Sequence, residues 1–271
     1  MLSIFAYFCT TMSVIHFTKY QGTGNDFVLI DNISKEQYNL TVDQITHLCD
    51  RKFGIGADGL IIVEKSKTSD FFMNYYNADG SQSFCGNGAR CAVHFTRAIG
   101  LIHKETTFKA IDGEHHAKIT DNFISIQMKS VHEILKRNNE YILNTGSPHF
   151  VRLSSDLSTD TIVSYGREVR YHEEYKKDGI NVNLMSVVAN DEISIGTYER
   201  GVEDETLSCG TGATACAIVF NELNPKLGNR KVKVNVKGGE LIIRYFYSES
   251  SYTNIELSGP AIPVFNGTIE I

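Results

Sequence analysis

Two cysteines sit in matching surroundings: Cys85 in "SFCGNGARCAVHF" and Cys209 in "SCGTGATACAIVF", 124 residues apart. In each copy the thiol directly precedes a Gly-x-Gly-Ala string and an apolar, helix-like run. A cysteine at a helix start meets unpaired backbone N–H groups and the positive end of the helix dipole, both of which favour an anion. The same N–H groups can hold a ligand carboxylate, and Gly86, Gly88, Gly210 and Gly212 let the backbone come close to it. Two thiols around one carboxylate suit inversion of a stereocentre, in which a thiolate takes a proton from one face and a thiol returns one to the other. On spacing alone, two structural helix starts with inert thiols fit equally well.

The elements that must hold these thiols can be read from pattern. Strand-like runs dominate: Phe27 to Asp31, Leu60 to Glu64, Ile124 to Met128, Val182 to Val188, Lys231 to Lys237, Glu240 to Tyr247 and Asn254 to Gly259. Gly238-Gly239 between two of them predicts a hairpin turn. Helices are fewer. One opens at Thr41 with Gln44 in capping-box spacing and is expected to close at Gly54. The other two begin just after Cys85 and Cys209, fading at Gly100 and stopping before Pro225. Cys91 and Cys216 fall inside them as small buried hydrophobes.

Three matches recur in order at nearly one offset. "TGNDFVL" resembles "TGSPHFVRL", the Gly54-Ile55 pair resembles Gly179-Ile180, and the cysteine strings repeat. A period this long means two domains of one fold rather than a solenoid.

Composition narrows the function classes. The chain has 271 residues, a formal charge of −6 and a hydrophobic fraction of 42%, as expected of a globular protein of one or two domains. It lacks the concentrated positive patch of a nucleic-acid surface. Its six cysteines include no zinc-spaced pair and no Walker loop accompanies them, so no metal or cofactor is expected, and a reduced, cytoplasmic setting follows. The apolar start, residues 1–11, is too short to span a bilayer. It is expected to be an extension of unknown role preceding a folded part that begins at Met12.

The strings "GTGNDF", "GIGADGL", "NADGS", "CGNGARC", "GSPH", "GINVN", "YERG" and "CGTGA" occur in an order that resembles the diaminopimelate epimerase family from Met12 to the C-terminus. The resemblance implies an α/β (α+β) fold of two similar domains related by pseudo-twofold symmetry. Each would be a curved β-sheet or barrel around a central helix, with the site in the cleft between them. The expected division is 12–130 plus 261–271 for the first domain and 131–260 for the second. The resemblance also implies a cofactor-independent isomerase, interconverting LL- and meso-2,6-diaminopimelate in lysine and peptidoglycan-precursor biosynthesis, and a homodimer without membrane or nucleic-acid partners.

Carried over by motif position, Cys85 and Cys209 are the acid and base. Gly86, Asn87, Gly210 and Thr211 offer N–H groups to the carboxylate at the reacting carbon. Asn25, Asn77, Asn181 and Arg200 bind the substrate, Glu199 accepts from its ammonium group, and His149 supports a thiol by holding a proton or tuning it. Several departures stand out. Gly59 replaces a glutamine found in many members, so one contact must come from elsewhere, and Ser147 replaces an asparagine. The Asn77–Cys85 segment is one residue shorter than the common pattern, which puts their relative placement in question; "ERGVEDETLSCG" is one longer. The rival readings are a proline or hydroxyproline racemase-like enzyme and a non-catalytic thiol redox or binding protein.

Overall fold

Runs such as Phe27 to Asp31 lack the alternation of a half-wet strand because both of their faces are covered. In the strand Asn25–Asp31, Phe27 and Leu29 pack inward with helix α2 (Gly86–Ala98), while Val28 and Ile30 pack outward with helix α1 (Val42–Cys49). Its parallel neighbour Gly59–Glu64 divides the same way, Ile61 and Val63 inward and Leu60 and Ile62 outward. Strands buried on both faces read as continuous apolar runs. Each such Leu or Ile adds about 1.5–3 kcal/mol by burial, which is how a short helix like α1 is held in place.

The computed structural model describes residues 14–34, 38–120 and 123–271. The extension 1–11, the start at Met12 and Cys9 lie outside the described residues. Within them are 17 strands and four helices, and all the strands join one hydrogen-bonded network.

That network runs through one series of pairings twice. In the first half Val14–Gly22 lies antiparallel to Asn25–Asp31, which is parallel to Gly59–Glu64. The latter is antiparallel to Phe71–Asn77, itself parallel to Glu105–Ala110, and a meander through Gly113–Thr120 and Phe123–Gln127 follows. In the second half Glu140–Asn144, Pro148–Leu153, Asn181–Ala189, Glu192–Glu199, Gly228–Val236, Gly239–Ser248 and Ser251–Pro260 repeat the same order and directions. Helix α3 (Thr159–Arg170) fills the slot that α1 fills in the first half. Helix α4 (Gly210–Leu223) fills that of α2.

Each half wraps its strands around one helix. One core gathers Ala89, Cys91, Ala92 and Val93 of α2, and the other gathers Ala213, Cys216, Ala217 and Ile218 of α4. The two sheets join where Phe123–Gln127 pairs with Ser251–Pro260, with the Ser125 and Ser258 hydroxyls 2.7 Å apart. Each half gains one more strand at the partner of its parallel pair. Ile134–Arg137 pairs with Glu140–Asn144, and Ile262–Glu270 returns to pair with Val14–Gly22. The expected fold of two similar, pseudo-twofold-related α/β units around central helices is therefore the observed one.

Local expectations fared unevenly. The Thr41–Gln44 capping box is present, with both reciprocal bonds made. The helix closes at Cys49 rather than Gly54, because the chain turns extended at Asp50 and Gly54 packs back on the carbonyl of His47. The Gly238-Gly239 hairpin is present, with Val236 and Gly239 as its closing pair. Helix α3 was not expected from pattern: Gly166 breaks its apolar stripe, and the bare backbone there admits the ring of Tyr198.

Candidate active site

Cys85 and Cys209 occupy the same backbone position. Each is the N-cap residue of its central helix, with φ −125° and ψ 114° at Cys85 and φ −119° and ψ 110° at Cys209. Serine, threonine, aspartate or asparagine caps a helix better than a thiol does. Two thiols at this position thus forgo capping strength for something else that sulfur provides.

The two helix starts abut. Asn87, in the first turn of α2, donates from Nδ2 to the backbone carbonyl of Ser208 at 2.9 Å, one residue before Cys209. The same amide lies 3.3 Å from Oδ1 of Asn25, and that oxygen also accepts from Cys85 Sγ at 3.6 Å. Asn25 is itself fixed by Asp58, whose Oδ2 accepts from its Nδ2 at 2.5 Å, and Arg51 braces Asp58 at 2.7 Å. Cys85 Sγ accepts from the Gly88 N–H at 3.4 Å, and Cys209 Sγ lies 3.4 Å from the Thr211 hydroxyl.

Burial dominates the electrostatics. It pushes the Cys85 thiol up to about 11 and the Cys209 thiol up to about 12, and Glu199, which faces both, adds to each rise. The Gly88 N–H at Cys85 and the Thr211 hydroxyl at Cys209 pull the other way. A desolvated thiolate is scarce at neutral pH but strongly basic once formed, which suits removal of a weakly acidic carbon-bound proton. Burial likewise raises the Glu199 carboxyl.

His149 is fully buried on the strand Pro148–Leu153. Its Nδ1 faces the Asn183 amide nitrogen at 3.1 Å, and Asn183 is oriented by Thr197 Oγ1 at 2.9 Å and the Phe150 carbonyl at 2.9 Å. An amide nitrogen only donates, so Nδ1 accepts and the ring proton sits on Nε2, which has no partner among the described residues. Burial, helped by Arg200, holds the imidazole down to about 3. In this geometry the neutral ring presents a single N–H donor.

Asn181 and Arg200 form a second cluster. Asn181 Oδ1 accepts from the Arg200 backbone N–H at 3.0 Å, its Nδ2 donates to Ser147 Oγ at 2.8 Å, and Arg200 Nη1 donates to the Asp178 carbonyl at 2.8 Å. Ser147, shorter than an asparagine, is thus still hydrogen-bonded within this cluster. Asn77 is fixed by its own loop and by Tyr75. Its Nδ2 donates to Ser81 and Ser83 within the tight Asn77–Ser81 turn, and its Oδ1 accepts from the Tyr75 hydroxyl at 2.9 Å. A side chain at Gly59 would meet the Tyr75 ring at 2.5 Å. The tyrosine therefore fills the room that Gly59 leaves. Asp58, Tyr75 and Asn183 were not singled out from sequence. The strings "GIGADGL" and "GINVN" carry Asp58 and Asn183, but only the folded neighbours show what they brace.

Among the described residues no three His, Cys, Asp or Glu side chains converge as metal ligands would. Among the described residues no helix is long and apolar enough to cross a membrane.

The family model for diaminopimelate epimerase matches residues 17–132 and 141–261, one stretch in each half. This chain belongs to the diaminopimelate epimerase family. It is 49% identical over 253 residues to the diaminopimelate epimerase of Flavobacterium psychrophilum, covering 93% of this chain and 98% of the relative. It is 40% identical over 259 residues to that of Chlorobaculum tepidum, covering 92% and 99%. Solved structures share the fold at low identity. A Bacillus anthracis phenazine biosynthesis protein of the PhzF family superposes with a TM-score of 0.73 at 13% identity, covering 96% of this chain and all of that one. A hydroxyproline epimerase from Agrobacterium vitis does so with a TM-score of 0.67 at 11% identity, covering 96% and 92%. Members of the family are isomerases, and the paired cysteine strings fall within its two matched stretches.

Proposed function

We propose that this chain interconverts LL- and meso-2,6-diaminopimelate by a two-base reaction between Cys85 and Cys209. The observation that carries the reading is the pair of N-cap thiols, in one backbone conformation, at two helix starts tied together by Asn87 and Ser208. One thiolate takes the α-proton from one face of the carbon, leaving a carbanion-like state whose charge spreads into the adjacent carboxylate. The opposing thiol delivers its own proton to the other face, and the two sulfurs end with exchanged protonation.

Free N–H groups at Gly86, Asn87, Gly210 and Thr211 meet that carboxylate where its charge grows, aided by both helix dipoles. Glu199 accepts from the ammonium at the reacting carbon, and Nε2–H of His149 donates to the bound substrate. Asn25, Asn77, Asn181 and Arg200 read the far amino-acid end; a guanidinium suits its carboxylate because it can bind both oxygens. We divide the chain into domains at 12–130 with 261–271, and 131–260. We assign it to lysine and peptidoglycan-precursor biosynthesis in the cytoplasm, as a homodimer without a cofactor; sedimentation velocity reads the oligomeric state directly.

Incubation with LL-diaminopimelate in heavy water tests substrate and chemistry together. Deuterium at the inverted carbon, with formation of the meso isomer, is the expected result. Absence of exchange alongside turnover of proline or 4-hydroxyproline would transfer the reading to the racemase-like rival.

A further inference from the structure

Four flat rings stand in a row behind Cys85. Phe71, Phe108 and His115 are cross-strand partners on three adjoining strands, Phe71–Asn77, Glu105–Ala110 and Gly113–Thr120. Phe71 and Phe108 stack with ring centroids 5.0 Å apart, and Phe108 and His115 at 5.3 Å. Phe84, the residue before Cys85, closes the row on His115 at 4.1 Å, with the two rings 2° from parallel. Aromatic pairs settle either offset-parallel or edge-to-face, and an untethered ring is free to take either. The imidazole is tethered: its Nε2 lies 2.7 Å from Asp112 Oδ1. A carboxylate oxygen accepts, so Nε2 carries the proton. The His115 side chain is only 10% exposed, so Asp112 rather than water sets its plane.

The second half of the molecule supplies an internal control. Its matching row, read off the same pairings, is Ile193, Val234 and Leu241, all aliphatic and fully buried. The hairpins match residue for residue, so Gly238 stands where Asp112 does. A sheet of this fold therefore packs on its central helix without a polar ring or its carboxylate at these positions. What also differs is the residue before the thiol, Ser208 in place of Phe84. Hydrogen bonds from the first half hold Ser208: Asn87 Nδ2 donates to its carbonyl at 2.9 Å and Thr23 Oγ1 to its hydroxyl at 2.7 Å. Phe84 has no hydroxyl to be held by, and the ring stack takes that place.

We propose that His115 and Asp112 are positioning residues for Cys85, fixing through Phe84 the backbone that aims its sulfur. Among the described residues two long hydrogen bonds reach that sulfur, with the Gly88 N–H at 3.4 Å and Asn25 Oδ1 at 3.6 Å. Its place is thus set chiefly by the backbone on either side, helix α2 after it and Phe84 before it. The loop from Asn77 is tied down as far as Ser83, by the Asn77 amide and by Gln82, whose Nε2 donates to Asn74 Oδ1 at 2.7 Å. Phe84 is the last anchor before the thiol. What the aim of Cys85 does for turnover rests on the two-base reading above.

Two measurements report that aim. One is steady-state kinetics of epimerisation; the other is site-resolved alkylation by iodoacetamide in the substrate-free protein, read by mass spectrometry. His115→Leu imports the residue of the second half. It is expected to lower kcat about tenfold and leave KM within about twofold, part of the roughly hundredfold that an ångström of misplacement can cost. Alkylation of Cys85 should change by at least about threefold relative to that of Cys209. His115→Phe keeps a ring but loses the tie to Asp112, and should fall between. Asp112→Asn keeps an oxygen that accepts from Nε2 and should recover most of the parental rate.

Phe84→Leu breaks the stack from its other side. It should match His115→Leu, and the double variant should be no slower than either alone, because both act through one contact. A stack that serves only the fold would couple the two residues in unfolding free energy, and leave kcat and the labelling ratio unmoved. That outcome overturns the proposal, as do kcat losses that multiply in the double variant. His115→Phe at the full parental rate would leave Asp112 without a role and overturns it too. Should His115→Leu not fold, His115→Phe takes its place in the cycle with Phe84→Leu. Failure of diaminopimelate exchange in the unsubstituted protein would instead sink the two-base reading, and the labelling ratio would still report the aim of Cys85.

Discussion

The two half-sites begin alike and diverge within one helical turn. Cys85 and Cys209 share an N-cap conformation, yet the next turn of α2 carries Asn87 and Arg90 where α4 carries Thr211 and Thr214. Around them the contrast continues. The first half presents amides and an ion network of Arg51, Asp26, Asp58 and Lys19 that runs from the surface inward. The second presents a buried His149–Asn183–Thr197 chain and the guanidinium of Arg200. Duplication supplied matched backbone frames on two sides of one carbon. A two-base inversion needs that symmetry of position, and it also needs asymmetry of charge, because one sulfur must be a thiolate while the other holds a proton. A substrate with a single far end needs asymmetry too.

The sharpest way to break the comparison is to remove the thiols singly. Cys85→Ala and Cys209→Ala are each expected to lower epimerisation by at least roughly a hundred- to ten-thousandfold, with circular dichroism unchanged. If either variant retained activity within tenfold of the parent, the symmetric role would fail. Next in size is the reading of the far end. Arg200→Met should raise KM by about ten- to a hundredfold, the loss of a charge-assisted hydrogen bond, with a smaller change in kcat. Asn77→Ala should do less, because its amide is already committed to its own loop. Steady-state kinetics on both variants decide it, and a larger KM effect at Asn77 would reverse the assignment of walls.

A third contrast concerns packing at the second glycine of each motif. A Cβ at Gly212 would come within 2.5 Å of Asn183 Oδ1, whereas one at Gly88 meets only Ile61, Met73 and Phe27 at 3.2–3.4 Å. Gly212→Ala is therefore expected to cost about 1–3 kcal/mol and to disturb His149, while Gly88→Ala costs less. Urea unfolding of the pair measures the difference.

A further effect is in the acid stability profile. His149 is held down to about 3, so in the window from its ordinary value near 6.5 down to that point the unfolded chain binds a proton that the folded one refuses. Stability falls there as pH falls. At Asp26 burial opposes ionisation, but hydrogen bonds from Arg51 and Lys19 win and hold the carboxyl at about 2. Its contribution is lost lower, as pH drops from 3.8 through about 2. His149→Asn should flatten the upper slope of unfolding free energy against pH and leave the lower one; an unchanged upper slope would mean the imidazole is not buried neutral.

How much was legible varied with how local the determinant is. The capping box at Thr41, the helix starts after both cysteines, and strands such as Asn25–Asp31 depend on neighbours a few residues away. All of these emerge from pattern. Helix α3 and the strand Ile262–Glu270 do not, since one is interrupted by a glycine whose reason is Tyr198 and the other is largely exposed, pairing with residues some 250 positions earlier. At the site, the motif strings led to the thiols, Asn25, Asn181 and Arg200. They also pointed to Asn77 but not to the hydrogen bonds that hold its amide, which come from a loop conformation. Tyr75 was invisible because its role exists only opposite Gly59.

What the amino-acid sequence determined by itself was the doubled thiol motif, the duplication and the family, for each is written in types and spacings along the chain. Only the tertiary structure decided that the two helix starts touch through Asn87 and Ser208, that the His149 proton sits on Nε2, and that the ring stack behind Cys85 belongs to one half alone. Those are properties of distance and solvent exclusion between segments far apart along the chain. Charges and hydrogen bonds take their strength from that exclusion.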